Sequence, residues 1–413
     1  MRALWLGLVL ILPWPLWAGS FCPQAPDSCV EVTGQASLDE KDTAYARQMA
    51  LRDGLRNAVM RCQVQVRSQD QVRDFRLEGS TLNVRSAAAV KYFTILEETP
   101  DREAHLYKVR LRACLEPVSN QCGTPLAGGF QPRVAIGTVL VDHPDQVRDI
   151  RDLTQGWRRM LLRAFEQHGY RNVVPFDIPP ALMRPQHVAP SLSPALLAEV
   201  REETGAQYLL LTVIRDAGAQ RVPATHLQPA LDEMLEEVRR SYTADLSPNR
   251  RSLTVEYFLI DLNHARIASQ DLLRRLVEGE ASVGRDKPFG GAAFMRTPTG
   301  RAMLEQVVAE TEKVMKTLQC APFEAEVLER RQDADGKTHI LFFATPESGL
   351  KEGDQLAVYH RLAPTVRMGG RSLGTDRVPA GFVRVVRLQD RFAVAEIVAE
   401  KRRIEEGDLV RSW

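Results

Sequence analysis

Six cysteines and eight histidines are the side chains of this 413-residue chain best suited to covalent or metal chemistry. The cysteines stand at Cys22, Cys29, Cys62, Cys114, Cys122 and Cys320. No two make a C-x-x-C pair, and no two histidines stand four apart, as one face of a metal-holding helix would need. No metal ligand set and no cofactor site is therefore expected. Strand phase narrows the cysteine pairing. In residues 107–114 the apolar positions are Tyr107, Val109, Leu111 and Ala113, which turns Cys114 to the opposite face with Lys108 and Arg110. Val30 and Val32 point inward from the first strand, so Cys29 points outward. If these strands are antiparallel neighbours, Cys29 and Cys114 come within the roughly 4 to 7 Å Cα separation that a disulfide needs. Cys62 falls on the apolar face of a helix and is expected to stay a small core thiol. Cys122 and Cys320 bracket the middle of the chain and form a second, weaker candidate pair.

Other chemistry is hard to find. There is no G-x-S-x-G, P-loop, H-E-x-x-H or dinucleotide fingerprint. Asp142, His143 and Asp145 follow an apolar strand, where α/β enzymes often keep their sites, but no serine or cysteine partner is identifiable. A loop that caps the next helix is the expectation there. Phe289-Gly290-Gly291-Ala292 lacks the lysine of a phosphate loop and reads as a flexible connection. The runs Arg158-Arg159, Arg239-Arg240, Arg250-Arg251 and Lys401-Arg402-Arg403 mostly have acids nearby and read as solvated faces. No catalytic residue is assigned, and no enzyme is expected.

The N-terminus sets the compartment. Met1-Arg2 precedes a nearly continuous apolar run broken by Pro13 and Pro15, with Ala18 and Gly19 as small residues at a cleavage point. This reads as a secretory signal peptide over residues 1–18. The whole chain has 54 Lys plus Arg and 53 Asp plus Glu. Cleavage would remove Arg2 and no acid, and 54 − 1 leaves 53 bases against 53 acids. A neutral chain gives no electrostatic reason to expect nucleic acid or an anionic membrane as the main partner. Peripheral contact with the outer membrane is the most that is expected. Export also makes the even cysteine count a disulfide signal.

The elements that must position these residues fall into three blocks. Residues 19–116 form a small α/β domain: a strand at 30–35, a helix from near Ser37 capped by Ser37 and Glu40, a second helix at 82–89, and a hairpin of 92–98 with 106–114 turned at 99–102. The first helix's apolar face is Ala44, Leu51, Leu55, Ala58, Val59 and Cys62, and Gly54 within it implies close packing against a neighbour. Residues 117–130 are a linker rich in proline and glycine. Residues 131–320 read as a middle α/β domain with a parallel or mixed sheet. Its strands are 134–141, 172–175, 208–214, 252–261 and 265–276; its closing helix carries Leu304, Val307, Val308, Val314, Met315 and Leu318 inward. Residues 321–413 turn all-β and read as a small barrel. Leu350-Lys351-Glu352-Gly353-Asp354 and Ile404-Glu405-Glu406-Gly407-Asp408 repeat one another, each with a hydrophobe placed to plug the barrel.

The first block carries a specific pattern. Val30-Glu31-Val32-Thr33-Gly34-Gln35-Ala36 and Ala50-Leu51-Arg52-Asp53-Gly54-Leu55-Arg56-Asn57-Ala58-Val59 together resemble the N-terminal domain of the flagellar assembly protein T family. That domain opens with a V-x-V-x-G-x-A strand and an A-x-R-D-A-L-R-x-A-V helix; Gly54 stands where alanine is more usual. Val90 to Ile95 and Tyr107 to Leu111 are similar to its closing strands. The middle block resembles the family's middle domain, which is similar to the N-terminal domain of the TolB translocation protein, and the barrel agrees with its C-terminal domain. The resemblance implies a non-enzymatic periplasmic component of the flagellar basal body. It would sit in the outer H ring, with the L and P rings and the stator-associated ring as partners. The competing expectation is a soluble periplasmic binding module serving an envelope or secretion complex.

Overall fold

The computed structural model describes residues 28–38, 42–70, 88–117, 130–177, 194–220, 249–279, 281–319, 321–333, 336–368 and 371–412. The expected signal peptide, nearly all of the expected linker and residues 82–87 of the expected second helix lie outside them. The fold is mixed α/β and mostly strand, and the chain divides into two compact units, 1–36 with 49–125 and 37–48 with 126–413. Among the described residues no helix is long and apolar enough to cross a membrane.

The first unit is a three-stranded sheet under one helix. Its elements are β1 (Ser28–Ser37) up to residue 36, α1 (Thr43–Asp70) from residue 49 onward, β2 (Ala88–Asp101) and β3 (Leu106–Pro117), with sheet order β1-β3-β2. Strands β2 and β3 form the antiparallel hairpin, with Ile95 opposite Leu111, but its turn lies at 102–105, where Asp101 accepts the Ala104 N–H. Two sequence expectations change. Ser37 ends β1 and so caps nothing, and Ala88 and Ala89 belong to β2, not to a helix. The buried face of α1 holds Ala50, Leu51, Leu55, Ala58 and Val59 against Val32, Val109 and Leu111; Ala44 is exposed.

In the second unit a mixed sheet is covered on both faces. Its strands are β4 (Val134–Ile136), β5 (Leu140–Val141), β6 (Val173–Pro175), β7 (Tyr208–Asp216), β8 (Ala219–Gln220), β9 (Arg250–Asp261) and β10 (Arg266–Glu278), on the path β10-β9-β7-β4-β6. Strands β4, β5 and β6 run parallel to their partners, and β9 returns antiparallel to β7. The helices are α2 (Leu153–Gln167), α3 (Pro194–Thr204), α4 (Ala292–Arg296) and α5 (Pro298–Leu318). Alternation along β7 and β9 sorts the core. Leu210, Ile214, Val255, Tyr257 and Leu259 meet Trp157, Phe165, Met303, Val307 and Val314, while Leu209, Leu211, Val213, Phe258 and Ile260 meet Leu196, Leu197 and Val200 of α3.

The chain then closes a six-stranded barrel, ordered β11-β12-β15-β14-β13-β16. These are β11 (Glu324–Gln332), β12 (Thr338–Phe343), β13 (Gln355–Met368), β14 (Arg371–Leu388), β15 (Phe392–Glu400) and β16 (Leu409–Arg411). Closure leaves no free sheet edge. The repeated segments make equivalent turns: Asp354 accepts the Lys351 N–H at 2.8 Å, and Asp408 accepts the Glu405 N–H at 2.9 Å. Gly353 and Gly407 supply the positive φ, and Leu350 and Ile404 lie buried in the barrel core. The Gln207 amide joins sheet to barrel, donating to Pro322 O and accepting from Glu324 N.

Candidate functional site

The residues of the V-x-V-x-G strand and the R-D-x-L-R helix meet in one place. Strand β1 is an edge strand, and α1 lies so close that a Cβ on Gly34 would stand 2.1 Å from Ala50 O and 2.2 Å from Gly54 N. Glycine at both positions lets the two backbones touch. That proximity brings polar side chains of α1 to the β1 backbone. Asp53 accepts the Gln35 N–H at 3.1 Å, and Asn57 donates to Thr33 O at 3.1 Å and to Asp53 at 3.3 Å. Backbone groups of an edge strand are thus satisfied by the helix, which blunts an edge that could otherwise pair with another chain. The arginine-aspartate helix motif is legible as sequence; its task of covering β1 is not.

A disulfide joins Cys29 and Cys114, closing a separation of 85 residues. Two residues further along, Arg112 binds Glu31 at 2.6 Å and holds its carboxyl below the usual carboxylate range. The pairs 29 with 114 and 31 with 112 share one sum, 143, which is the arithmetic of antiparallel register between β1 and β3. Cys114 is nevertheless buried, at 3% exposure, with Ala113 and Leu115 on either side of it. The Cys62 side chain, Cys22, Cys122 and Cys320 lie outside the described residues. At the far edge of this sheet β2 exposes Tyr92, Phe93 and Leu96 at 52%, 42% and 39%.

In the second unit the residues weighed for chemistry serve packing and charge pairing. Asp142 binds Arg215 at 2.8 Å, and Arg215 also binds Glu256 at 2.7 Å, so Asp142 is an ion-pair partner and caps no helix. Phe289 is no flexible link. It is buried between Trp157 and Phe294, with ring centroids 5.8 and 4.7 Å away. The buried face of α5 is also turned from the expected one, because Gln306, Glu310 and Thr311 point inward while Val308 is exposed. Glu310 is accommodated by Trp157 Nε1 at 3.3 Å and Thr212 Oγ1 at 2.5 Å, and burial pushes its carboxyl up to about 7. Sequence pattern misses this group because a paired polar residue on an apolar face gives no periodic signal.

Among the described residues one cluster has metal-ligand donor types: Asp261, His264 and Glu324 offer atoms within 4.8 Å of one another. Arginines already stand on both carboxylates. Arg266 lies 3.6 Å from Asp261, and Arg377 and Arg411 lie 3.6 and 3.3 Å from Glu324. Three guanidiniums against two carboxylates disfavour a divalent cation there.

The family model described as "Flagellar assembly protein T, N-terminal domain" matches residues 28–117. A search of the curated proteins returns no match. Among solved structures, the PelC dodecamer from Paraburkholderia phytofirmans is 12% identical with TM-score 0.26, covering 46% of this chain and 89% of that one. The hypothetical protein CT253 from Chlamydia trachomatis is 16% identical with TM-score 0.29, covering 46% and 98%. Lipoprotein GNA1162 from Neisseria meningitidis is 11% identical with TM-score 0.21, covering 43% and 99%. TM-scores this low support no conclusion. The family match spans the whole glycine-packed, disulfide-closed unit from β1 to β3, so the chain carries a domain similar to the N-terminal domain of flagellar assembly protein T.

Proposed function

We propose that this chain is an exported, non-enzymatic structural component of the flagellar basal body, in the outer H ring around the L and P rings, where it supports the stator-associated ring. The observation that carries the reading is the match of residues 28–117 to the N-terminal domain of a flagellar assembly family. The Cys29–Cys114 disulfide supports a periplasmic location, because disulfides persist in oxidising compartments. In this reading residues 1–18 are removed on export. Residues 19–116, 131–320 and 321–413 then act as N-terminal, TolB-like middle and barrel domains joined through the 117–130 linker. Cys122 and Cys320 would staple the ends of the middle domain.

Deletion tests it. A strain lacking the gene should swim poorly or not at all while its envelope retains periplasmic enzymes. Normal swimming with leakage of those enzymes would instead favour an envelope-binding module.

A further inference from the structure

We propose that the junction between the α/β sheet and the barrel binds a phosphate-class oxyanion, held by the Arg361 guanidinium with Arg201 beside it. Arg361 on β13 stands directly opposite Arg377 on β14, an arrangement of like charges that destabilises a sheet unless something answers it. Two carboxylates answer only in part. Glu326 is shared between Arg201 at 3.2 Å and Arg361 at 3.5 Å, and Glu324 between Arg411 at 3.3 Å and Arg377 at 3.6 Å. At Glu326 two guanidiniums face one carboxylate, and 2 − 1 leaves one positive charge in excess.

The orientation of Arg361 carries the argument further. Its Nη1 faces Glu326, whereas its Nε and Nη2 are buried with no hydrogen-bond partner. Those two N–H groups lie on the same side of the guanidinium and form its bidentate fork, the geometry that matches two oxygens of a phosphate or carboxylate. Burial, with the charges of Arg201 and Arg377 nearby, also pulls Arg361 below its ordinary pKa. An anion on the fork would offset both the burial and the repulsion. The side chain keeps 22% of its surface exposed, so rotation of the guanidinium can present the fork to solution. Arg377 belongs to the wider network and acts here as a second positive charge. The site does not depend on the flagellar reading.

Phosphate could reach this site as the free ion or as a lipid headgroup. The mature protein is titrated with inorganic phosphate against sodium chloride of matched ionic strength, and separately with phosphatidylglycerol vesicles against neutral phosphatidylcholine vesicles. Binding of phosphate that weakens at least about tenfold in R361Q supports a small-anion site, and vesicle binding lost in R361Q with no phosphate response supports a headgroup site. If R361Q fails to fold, Glu326→Gln decides: removing the competing carboxylate should tighten binding several-fold. No binding of either probe, or equal binding by wild type and both variants, overturns the proposal.

Discussion

Gly34 and Gly54 lie back to back where β1 crosses α1, close enough that a Cβ on Gly34 would stand 2.2 Å from the Gly54 nitrogen. The two positions are not equivalent. At Gly34 the obstacle is backbone, including Ala50 O at 2.1 Å, whereas at Gly54 the nearest atom is the Leu111 side chain at 2.9 Å. Gly34→Ala is expected to destabilise the first unit by about 1 to 3 kcal/mol, through overpacking that α1 cannot relieve. Gly54→Ala should stay within about 1 kcal/mol of wild type, since Leu111 can yield and alanine favours the helix. Hydrogen exchange of the α1 amides measures both, and equal effects would show that the contact is looser than the structure has it.

Reduction of the Cys29–Cys114 bond should loosen the same unit. Disulfides typically stabilise by roughly 2 to 4 kcal/mol, so Cys29→Ser is expected to lower the stability of the unit by that order. Non-reducing peptide mapping checks the pairing directly. A peptide linking Cys62 to Cys114 would mean the strand faces are wrong.

Removing the Asp53 carboxylate strands the Gln35 N–H at the sheet edge. Asp53→Ala and Asn57→Ala should each cost about 1 kcal/mol, and the double variant less than the sum because the two side chains bond each other. Strict additivity would contradict the shared arrangement.

Glu310 makes stability fall with rising pH. Its folded-state carboxyl is pushed up to about 7 from a reference of 4.5, so between these values the folded protein keeps a proton that the unfolded chain has lost. The contribution is full below about 4.5 and is lost as pH rises through about 7, roughly 3 kcal/mol in all. Glu310→Gln keeps an acceptor for Trp157 and should flatten that slope, becoming the more stable form above pH 7. Parallel pH profiles of wild type and variant would refute the assignment.

Much of the framework is legible in the sequence because it rests on alternation. The apolar runs of β7 and β9 and the two glycine turns of the barrel are visible as spacing, and so is the phase that sets Cys29 toward Cys114. Features that depend on register are not. The 134–141 run divides into β4 and β5 because Ile136 pairs with Leu210 while Leu140 pairs with Val213: four residues advance on one strand against three on the other. The inward face of α5 was hidden because Gln306 and Glu310 find partners only in the folded core. The Arg361–Arg377 pair likewise arises from the pairing of β13 with β14, and no local signal marks it.

The proposed place of the chain is in the flagellar basal body. Radial density of basal bodies purified from parent and deletion strains tests it most directly. Loss of the outer-ring density is expected on deletion, with its return when the gene is restored. Unchanged density in the deletion strain would contradict it.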